Sequence, residues 1–191
     1  MSGSVHAFSG GDALLVVDVQ RDFCPGGALP VPDGDAVVPV LNRWITAARK
    51  ARCPVYLSRD WHPRGHPSFA SEGGPWPPHC LQDTPGARFH PDLLVPGDAI
   101  LVSKGTRFDK DQYSAFDETG LEQALRKAGV RRLFLGGLAR DVCVKASALD
   151  ARRAGFATCL VDAGAQALSP EGAAAADREM TAAGVEIIRG C

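Results

Sequence analysis

Short continuous apolar runs alternate along the chain with longer stretches in which apolar residues recur every three or four positions. The first run, 13–19 (ALLVVDV), is rich in valine and closed by polar residues, as in a strand buried on both faces of a parallel sheet. Runs of the same kind follow at 54–58 (PVYLS), 99–103 (AILVS), 132–136 (RLFLG), 157–161 (ATCLV) and 185–188. Between them the spacing predicts helices over 36–52, 119–128, 141–154 and 170–183, several of which run into a glycine before the next strand. Alternating strands and helices predict an α/β fold: a parallel sheet of six strands, right-handed crossovers and helices on both faces.

The rhythm breaks over 60–98, where prolines, glycines and the residues Trp61, Trp76 and His79 replace any periodic pattern. Connections that long are usually functional. With no repeat, low-complexity tract or linker elsewhere, 60–98 reads as an elaborated loop on one domain spanning 1–191.

In parallel α/β sheets ligands bind beyond the carboxyl ends of the strands, and that rule sorts the polar residues. Asp18 ends the first run, Asp60 and His62 follow the second, Lys104 follows the third, and Cys143 lies after the fourth, near the start of a helix. Each has a plainer role when taken singly: cysteines are commonly buried, strand-end lysines solvated, and aspartates caps of turns. Together at one sheet edge they suggest a thiol nucleophile, its base and an electrostatic partner. In GGLARDVCV two glycines end a strand and a helix opens near Cys143, so exposed backbone N–H groups are expected to lower the thiol's pKa and to hold an oxyanion.

In RDWHPRGHPSF, Asp60 and His62 are two residues apart and therefore project to one side of an extended segment, while His79 arrives from the far end of the loop. Two nitrogens and one oxygen with open positions suit a catalytic zinc, iron or manganese ion better than a closed structural site. His66 is close enough in sequence to ligate or to orient a ligand. The plain alternative is a surface loop whose histidines make ordinary hydrogen bonds.

Composition narrows the partners. The chain has 191 residues, 45% hydrophobic and 23% charged, as in an ordinary globular protein. Its 21 basic and 22 acidic residues are intermixed, for a net charge of -1, which leaves no basic patch for nucleic acid or an anionic membrane and favours a small neutral partner. Six cysteines, Cys24, Cys53, Cys80, Cys143, Cys159 and Cys191, form no C-x-x-C pair, against a zinc ribbon or thioredoxin-type site. The start, MSGSVHAFSGGD, lacks the basic flank and apolar run of a signal peptide, and no apolar run reaches the roughly 18 residues of a membrane span, so reduced thiols in the cytoplasm are expected. Cys191 is the last residue and not fourth from the end, so prenylation is not expected.

Six segments, VVDVQRDFCPGGALPVPDGD, SRDWHPRGHPSF, GGPWPPHCLQDTPGA, VSKG, YSAF and GGLARDVCVKASALDA, resemble in order those of the nicotinamidases (pyrazinamidases) of the isochorismatase-like hydrolases, over nearly the whole chain. The resemblance implies a three-layer α/β/α, Rossmann-like fold around a six-stranded parallel sheet. It also implies hydrolysis of nicotinamide, and of pyrazinamide, to the acid and ammonia in NAD salvage. It makes Asp18, Lys104 and Cys143 the catalytic triad and Asp60, His62 and His79 the ligands of one divalent metal, zinc first, with iron or manganese as alternatives. It further implies an oxyanion hole from the backbone N–H groups of Ala139 and Cys143, a cis peptide between Leu138 and Ala139, and a substrate pocket of Phe23, Trp76, Tyr113 and Leu138. One departure stands out: relatives commonly read A-T-D/E-Y-C where this chain reads ARDVC, so Arg140 is expected beside the site, altering access or substrate preference.

The expected chemistry is proton transfer from Cys143 to Asp18, with Lys104 favouring both anions, and a thioester resolved by water. The metal is expected to orient the pyridine nitrogen and nearby water. Alternatives are an amide or ureido hydrolase of the same superfamily, a catalytically silent nicotinamide-binding protein, and a structural-zinc module that would unfold on chelation. A homo-oligomer is compatible with all of them.

Overall fold

The structure, a computed structural model, describes residues 8–189. The first seven residues, where the signal-peptide reading begins, and Cys191, on which the prenylation reading rests, lie outside the described residues. Six strands, β1 (Asp12–Val17), β2 (Val55–Asp60), β3 (Ile100–Lys104), β4 (Arg132–Leu138), β5 (Ala157–Gln166) and β6 (Glu186–Ile188), form one sheet of order β3-β2-β1-β4-β5-β6. Every pairing is parallel, as the apolar runs predicted. β1 is buried along its whole length, which is why its sequence shows no polar alternation.

Among the described residues, four α-helices cover the two faces. α1 (Val37–Lys50) buries Val37, Val38, Val40, Leu41, Trp44, Ile45 and Ala48 at helical spacing and packs with Leu14, Val16, Leu57 and Phe134 on one face. α2 (Leu121–Lys127), α3 (Lys145–Arg153) and α4 (Pro170–Ala182) place Leu121, Leu125, Ala148, Ala151, Ala176 and Met180 against Leu15, Val17, Leu133 and Leu135 on the other. α4 opens with an N-cap serine, Ser169, whose hydroxyl accepts from Gly172 N at 2.9 Å, followed by Pro170 in the first turn, where a missing N–H costs nothing.

Two elements differ from expectation. The helix expected over 141–154 begins as a wide turn at Arg140–Val144, in which Val144 N reaches back five residues to Ala139 O (3.1 Å); α3 proper starts only at Lys145. Such one-turn insertions frequently mark functional sites, and apolar periodicity does not reveal them. β5 extends five residues beyond the predicted 161: past an irregularity between Leu135 and Gly137, its residues Ala165 and Gln166 pair again with Gly137 and Leu138 of β4.

The chain order reverses direction across the sheet between β1 and β4, and the crevice beyond their carboxyl ends is where ligands bind in open parallel sheets. Gly137 makes this approach workable: its φ is +133, and a Cβ there would overlap Val17 O on β1. No helix among the described residues is long and apolar enough to cross a membrane.

Candidate active site

The residue after β1 is Asp18, fully buried, with φ 49, a left-handed conformation that aspartate tolerates better than most residues. Its Oδ1 accepts from Ser58 Oγ at 2.6 Å. Its Oδ2 forms an ion pair with Lys104 Nζ at 2.8 Å but has no aligned hydrogen-bond donor. Asp60 and Lys104, the last residues of β2 and β3, are direct partners in the ladder, and Lys104 Nζ donates to Asp60 Oδ1 at 2.6 Å. The same ammonium lies 3.4 Å from Cys143 Sγ and 3.3 Å from Gln112 O. Ligand atoms of Asp18, Asp60 and Cys143 all fall within 4.8 Å of one another. One buried cation thus joins the sulfur to both carboxylates.

The second oxygen of Asp60 faces imidazoles. His62 Nε2 and His79 Nε2 lie 3.6 and 4.0 Å from Asp60 Oδ2, too far for hydrogen bonds. Tetrahedral ligands held ~2.1 Å from a metal would sit roughly 3.4 Å apart. The opposite ring nitrogens are anchored: His62 Nδ1 to Gly105 O at 2.8 Å and His79 Nδ1 to Pro77 O at 2.7 Å, which turns both Nε2 atoms toward a common centre. His62 Nε2 is buried without a partner, an orphan that a metal ion would satisfy. The donor set of Asp60, His62 and His79 therefore fits a divalent cation. His66 stacks on His62 with ring centroids 4.1 Å apart; its Nδ1 bonds Ser68 Oγ (2.7 Å) and its Nε2 is also an orphan.

Gly105 holds this arrangement by what it lacks. Its φ is +64, and a Cβ would overlap the His62 ring. Gly105→Ala is expected to displace that ring and lower bound metal at least tenfold, the scale seen when groups supporting a ligand are lost. Metal analysis after dialysis checks this; full metal content would place the His62 ring outside the binding site.

A cavity of about 430 Å³, counting its mouth, opens onto these groups. Phe23, Leu29, Val31, Trp76, Tyr113 and Leu168 form apolar walls, with Asp60, His62, His79, Asp111, Ala139, Val142 and Cys143 completing the lining. Trp76 Nε1 donates to Tyr113 Oη at 3.1 Å, joining two loops at the mouth. Of the four residues expected to touch substrate, Leu138 does not line the cavity: its side chain is fully buried in the core with Phe23 and Val31. The peptide between Leu138 and Ala139 is cis. Ala139 N–H donates to no acceptor among the described residues and remains available to a ligand oxygen.

Arg140 also departs from expectation. Although only three residues before Cys143, its side chain turns away from the cavity, because Asp162 and Asp177 on the opposite side hold the guanidinium at 2.7–2.8 Å.

Charge sets the resting state. Burial raises the Asp18 carboxyl above the ordinary 3.8, and the Lys104 ammonium limits the rise. At Asp60 burial also works to raise the pKa, but Lys104 and then His62 outweigh it, and the group is held well below 3.8. Burial works to lower the Lys104 pKa, yet Asp18, Asp60 and Cys143 hold it well above 10.5. The Cys143 thiol is pushed well above 9.0, first by burial and then by the Asp18 and Asp60 charges, against the opposing pull of Lys104. Desolvation and two carboxylates thus oppose the acidification expected from helix N–H groups and favour the protonated sulfur at rest. Burial lowers the pKa of His66 to about 4 and also lowers that of His79, which favours neutral rings, whereas at His62 burial is outweighed by the Asp60 carboxylate and the pKa is raised.

Several supporting residues carried no sequence signal of their function. Gln20, fully buried, donates from Nε2 to Asp60 O (2.7 Å) and Ala87 O (2.8 Å), and its Oε1 accepts from Asp60 N (2.8 Å). Gln112 Oε1 accepts from Gly105 N at 3.1 Å. Ser58 was visible only as the last polar residue of the PVYLS run.

Residues 12–190 match the family model of the isochorismatase domain. The chain is 39% identical to the nicotinamidase of Escherichia coli (strain K12), over 92% of this chain and 93% of that one. It is also similar to the solved pyrazinamidase of Pyrococcus horikoshii in complex with zinc: TM-score 0.91, 45% identity, 93% of this chain and 98% of that chain. PnC1 of L. infantum, solved in complex with nicotinate, aligns with TM-score 0.88 and 36% identity, covering 96% and 95%. The chain belongs to the isochorismatase family.

Proposed function

We propose that this chain is a metal-dependent amidohydrolase that converts nicotinamide to nicotinate and ammonia, and accepts pyrazinamide, with Cys143 as nucleophile. The observation that carries the reading is Lys104 Nζ, within 3.4 Å of Cys143 Sγ and ion-paired with both Asp18 and Asp60. The similarity to a nicotinamidase over 92% of the chain, and to a structure holding nicotinate, supports the substrate. One domain carries the activity, with 60–98 as its metal-binding loop. Free, buried cysteines favour the reducing cytoplasm as its location.

Asp18 Oδ2 is the base. Its carboxylate lies within 4.8 Å of the Cys143 sulfur and has a raised pKa, so it can take the Cys143 proton as the sulfur attacks the carboxamide carbon. The oxyanion faces the backbone N–H groups of Ala139 and Cys143. Asp18 returns the proton to the nitrogen as the C–N bond breaks and ammonia leaves, forming a thioester; Asp18 then deprotonates the water that releases nicotinate. Lys104 stays charged throughout, stabilising whichever of Asp18 and Cys143 is anionic. Phe23, Trp76 and Tyr113 enclose the flat ring. Asp60, His62 and His79 would hold a divalent ion, zinc for this nitrogen and oxygen set with iron or manganese as other fits, which would supply Lewis-acid chemistry toward the ring nitrogen.

Because ionised Asp18 is the active form and its pKa is raised, kcat/KM is expected to fall with decreasing pH through a value above 3.8. No gain is expected near 9.0 from a preformed thiolate, since that thiol titrates well above it. A pH profile at constant metal occupancy checks both; an alkaline rise centred near 9.0 would contradict the neutral resting thiol.

Ammonia release by the zinc-loaded protein from nicotinamide, pyrazinamide, benzamide and a ureido acid tests the assignment. Nicotinamide and pyrazinamide should turn over, and benzamide, lacking the ring nitrogen, should be poor. Preference for the ureido acid would favour the alternative hydrolase, and no release from any compound a binding protein.

A further inference from the structure

Arg140 opens the wide turn that carries Cys143, and its backbone helps to close that turn: Lys145 N donates to Arg140 O. Its side chain is nine-tenths buried and reaches two other elements. Arg140 Nε and Nη2 donate to Asp177 Oδ1 and Oδ2 on α4, both at 2.8 Å. Nη2 also donates to Asp162 Oδ1 on β5 at 2.7 Å, and Nη1 to Asp162 O at 3.2 Å. The next residue grips the same unit: Asp141 Oδ1 accepts from Leu168 N (3.1 Å) in the β5–α4 connection, and Leu168 lines the cavity.

We propose that Arg140 is a positioning residue for the nucleophile, fastening the head of the wide turn to β5 and α4 so that Cys143 Sγ and Ala139 N–H stay aimed at the Asp18–Lys104 pair. This rests on the reading of Cys143 as nucleophile. The wide turn carries one residue more than an ordinary helical turn, and tightening it to α-helical register would rotate the following side chains by about 100°. Such a rotation takes Cys143 Sγ out of its 3.4 Å contact with Lys104. Only a forked, planar guanidinium can hold the paired oxygens of Asp177 and the Asp162 carboxylate together; an ammonium is a point charge without that fork. Without the cation, two carboxylates would be left facing each other across the turn. Arg140 touches neither the cavity nor its metal donors, so it acts through the turn alone.

The test compares Arg140→Gln, Arg140→Lys and Asp177→Asn in the metal-loaded enzyme, by steady-state kinetics and by the rate of Cys143 alkylation with iodoacetamide, mapped by peptide mass. A misplaced nucleophile costs about 10- to 100-fold. Arg140→Gln should lower kcat by that factor with KM changed less than about threefold, and should slow Cys143 alkylation in parallel, while circular dichroism and metal content stay at wild-type levels. Arg140→Lys should recover part of both losses. If Arg140→Gln fails to fold, Asp177→Asn, which keeps the Asp162 contacts, should show a smaller loss of the same kind. Wild-type kcat and alkylation in a folded variant would overturn the proposal, as would a rise in KM alone. Alkylation needs no substrate, so an enzyme inactive on nicotinamide would count against the substrate assignment and leave this arm readable.

Discussion

Cys143→Ala should reduce ammonia release from nicotinamide by on the order of 10⁴-fold or more, the scale of losing a covalent nucleophile, with metal content unchanged. The sulfur lines the cavity and sits in reach of Lys104, whereas the metal donors are Asp60, His62 and His79, so deletion of the thiol leaves that set intact. Cys143→Ser should be nearly as inactive. A hydroxyl is much less acidic than a thiol, and Asp18, though its pKa is raised, is too weak a base to ionise it in concert with attack. Assays on purified variants with metal quantified in the same samples check this. Retention of a tenth of the wild-type rate by Cys143→Ala would transfer the attack to another group.

Lys104→Met should damage both activity and stability. Lys104 is fully buried and paired with Asp18 at 2.8 Å and Asp60 at 2.6 Å, so methionine leaves two desolvated carboxylates side by side without a counter-ion. Removing one partner of a buried ion pair costs about 3–5 kcal/mol, and losing a preorganised charge beside the developing anion costs about 10²–10³-fold in rate. The stability effect has a definite sign in pH. Without Lys104 the folded-state pKa of Asp18 rises further, so protons bind the folded form more tightly than the unfolded one. The variant should therefore lose most stability at neutral pH and recover part of it as pH falls toward the unfolded carboxylate value near 3.8. Denaturation midpoints between pH 4.5 and about 7.5 measure it. A gap to wild type that widens in acid would contradict the account.

The strand cores were legible because residues of β1 such as Leu14, Leu15, Val16 and Val17 are buried on both faces, and a parallel strand with no solvent side must be apolar throughout. The rule about carboxyl ends then brought Asp18, Asp60, Lys104 and Cys143 together, since strand polarity alone fixes which end each occupies. What the sequence could not show depends on side-chain direction or on balances of charge. Arg140 is near Cys143 in the chain but points to the opposite side, and only the positions of Asp162 and Asp177 reveal it. Leu138 sits one residue too early to face the cavity. The expected acidification of Cys143 considered its nearby helix and not the burial and carboxylates that outweigh it. Gln20 and Gln112 look like ordinary polar residues, because their function is to pair with backbone groups that only the fold brings into reach: Asp60 and Ala87 for Gln20, Gly105 for Gln112.

Acid-quenched mass spectrometry of the metal-loaded enzyme during turnover of nicotinamide tests the central claim most directly. The account predicts a nicotinoyl group on Cys143 that forms with the first equivalent of ammonia and is absent from Cys143→Ala. Full ammonia release with no acyl group on that sulfur would contradict it.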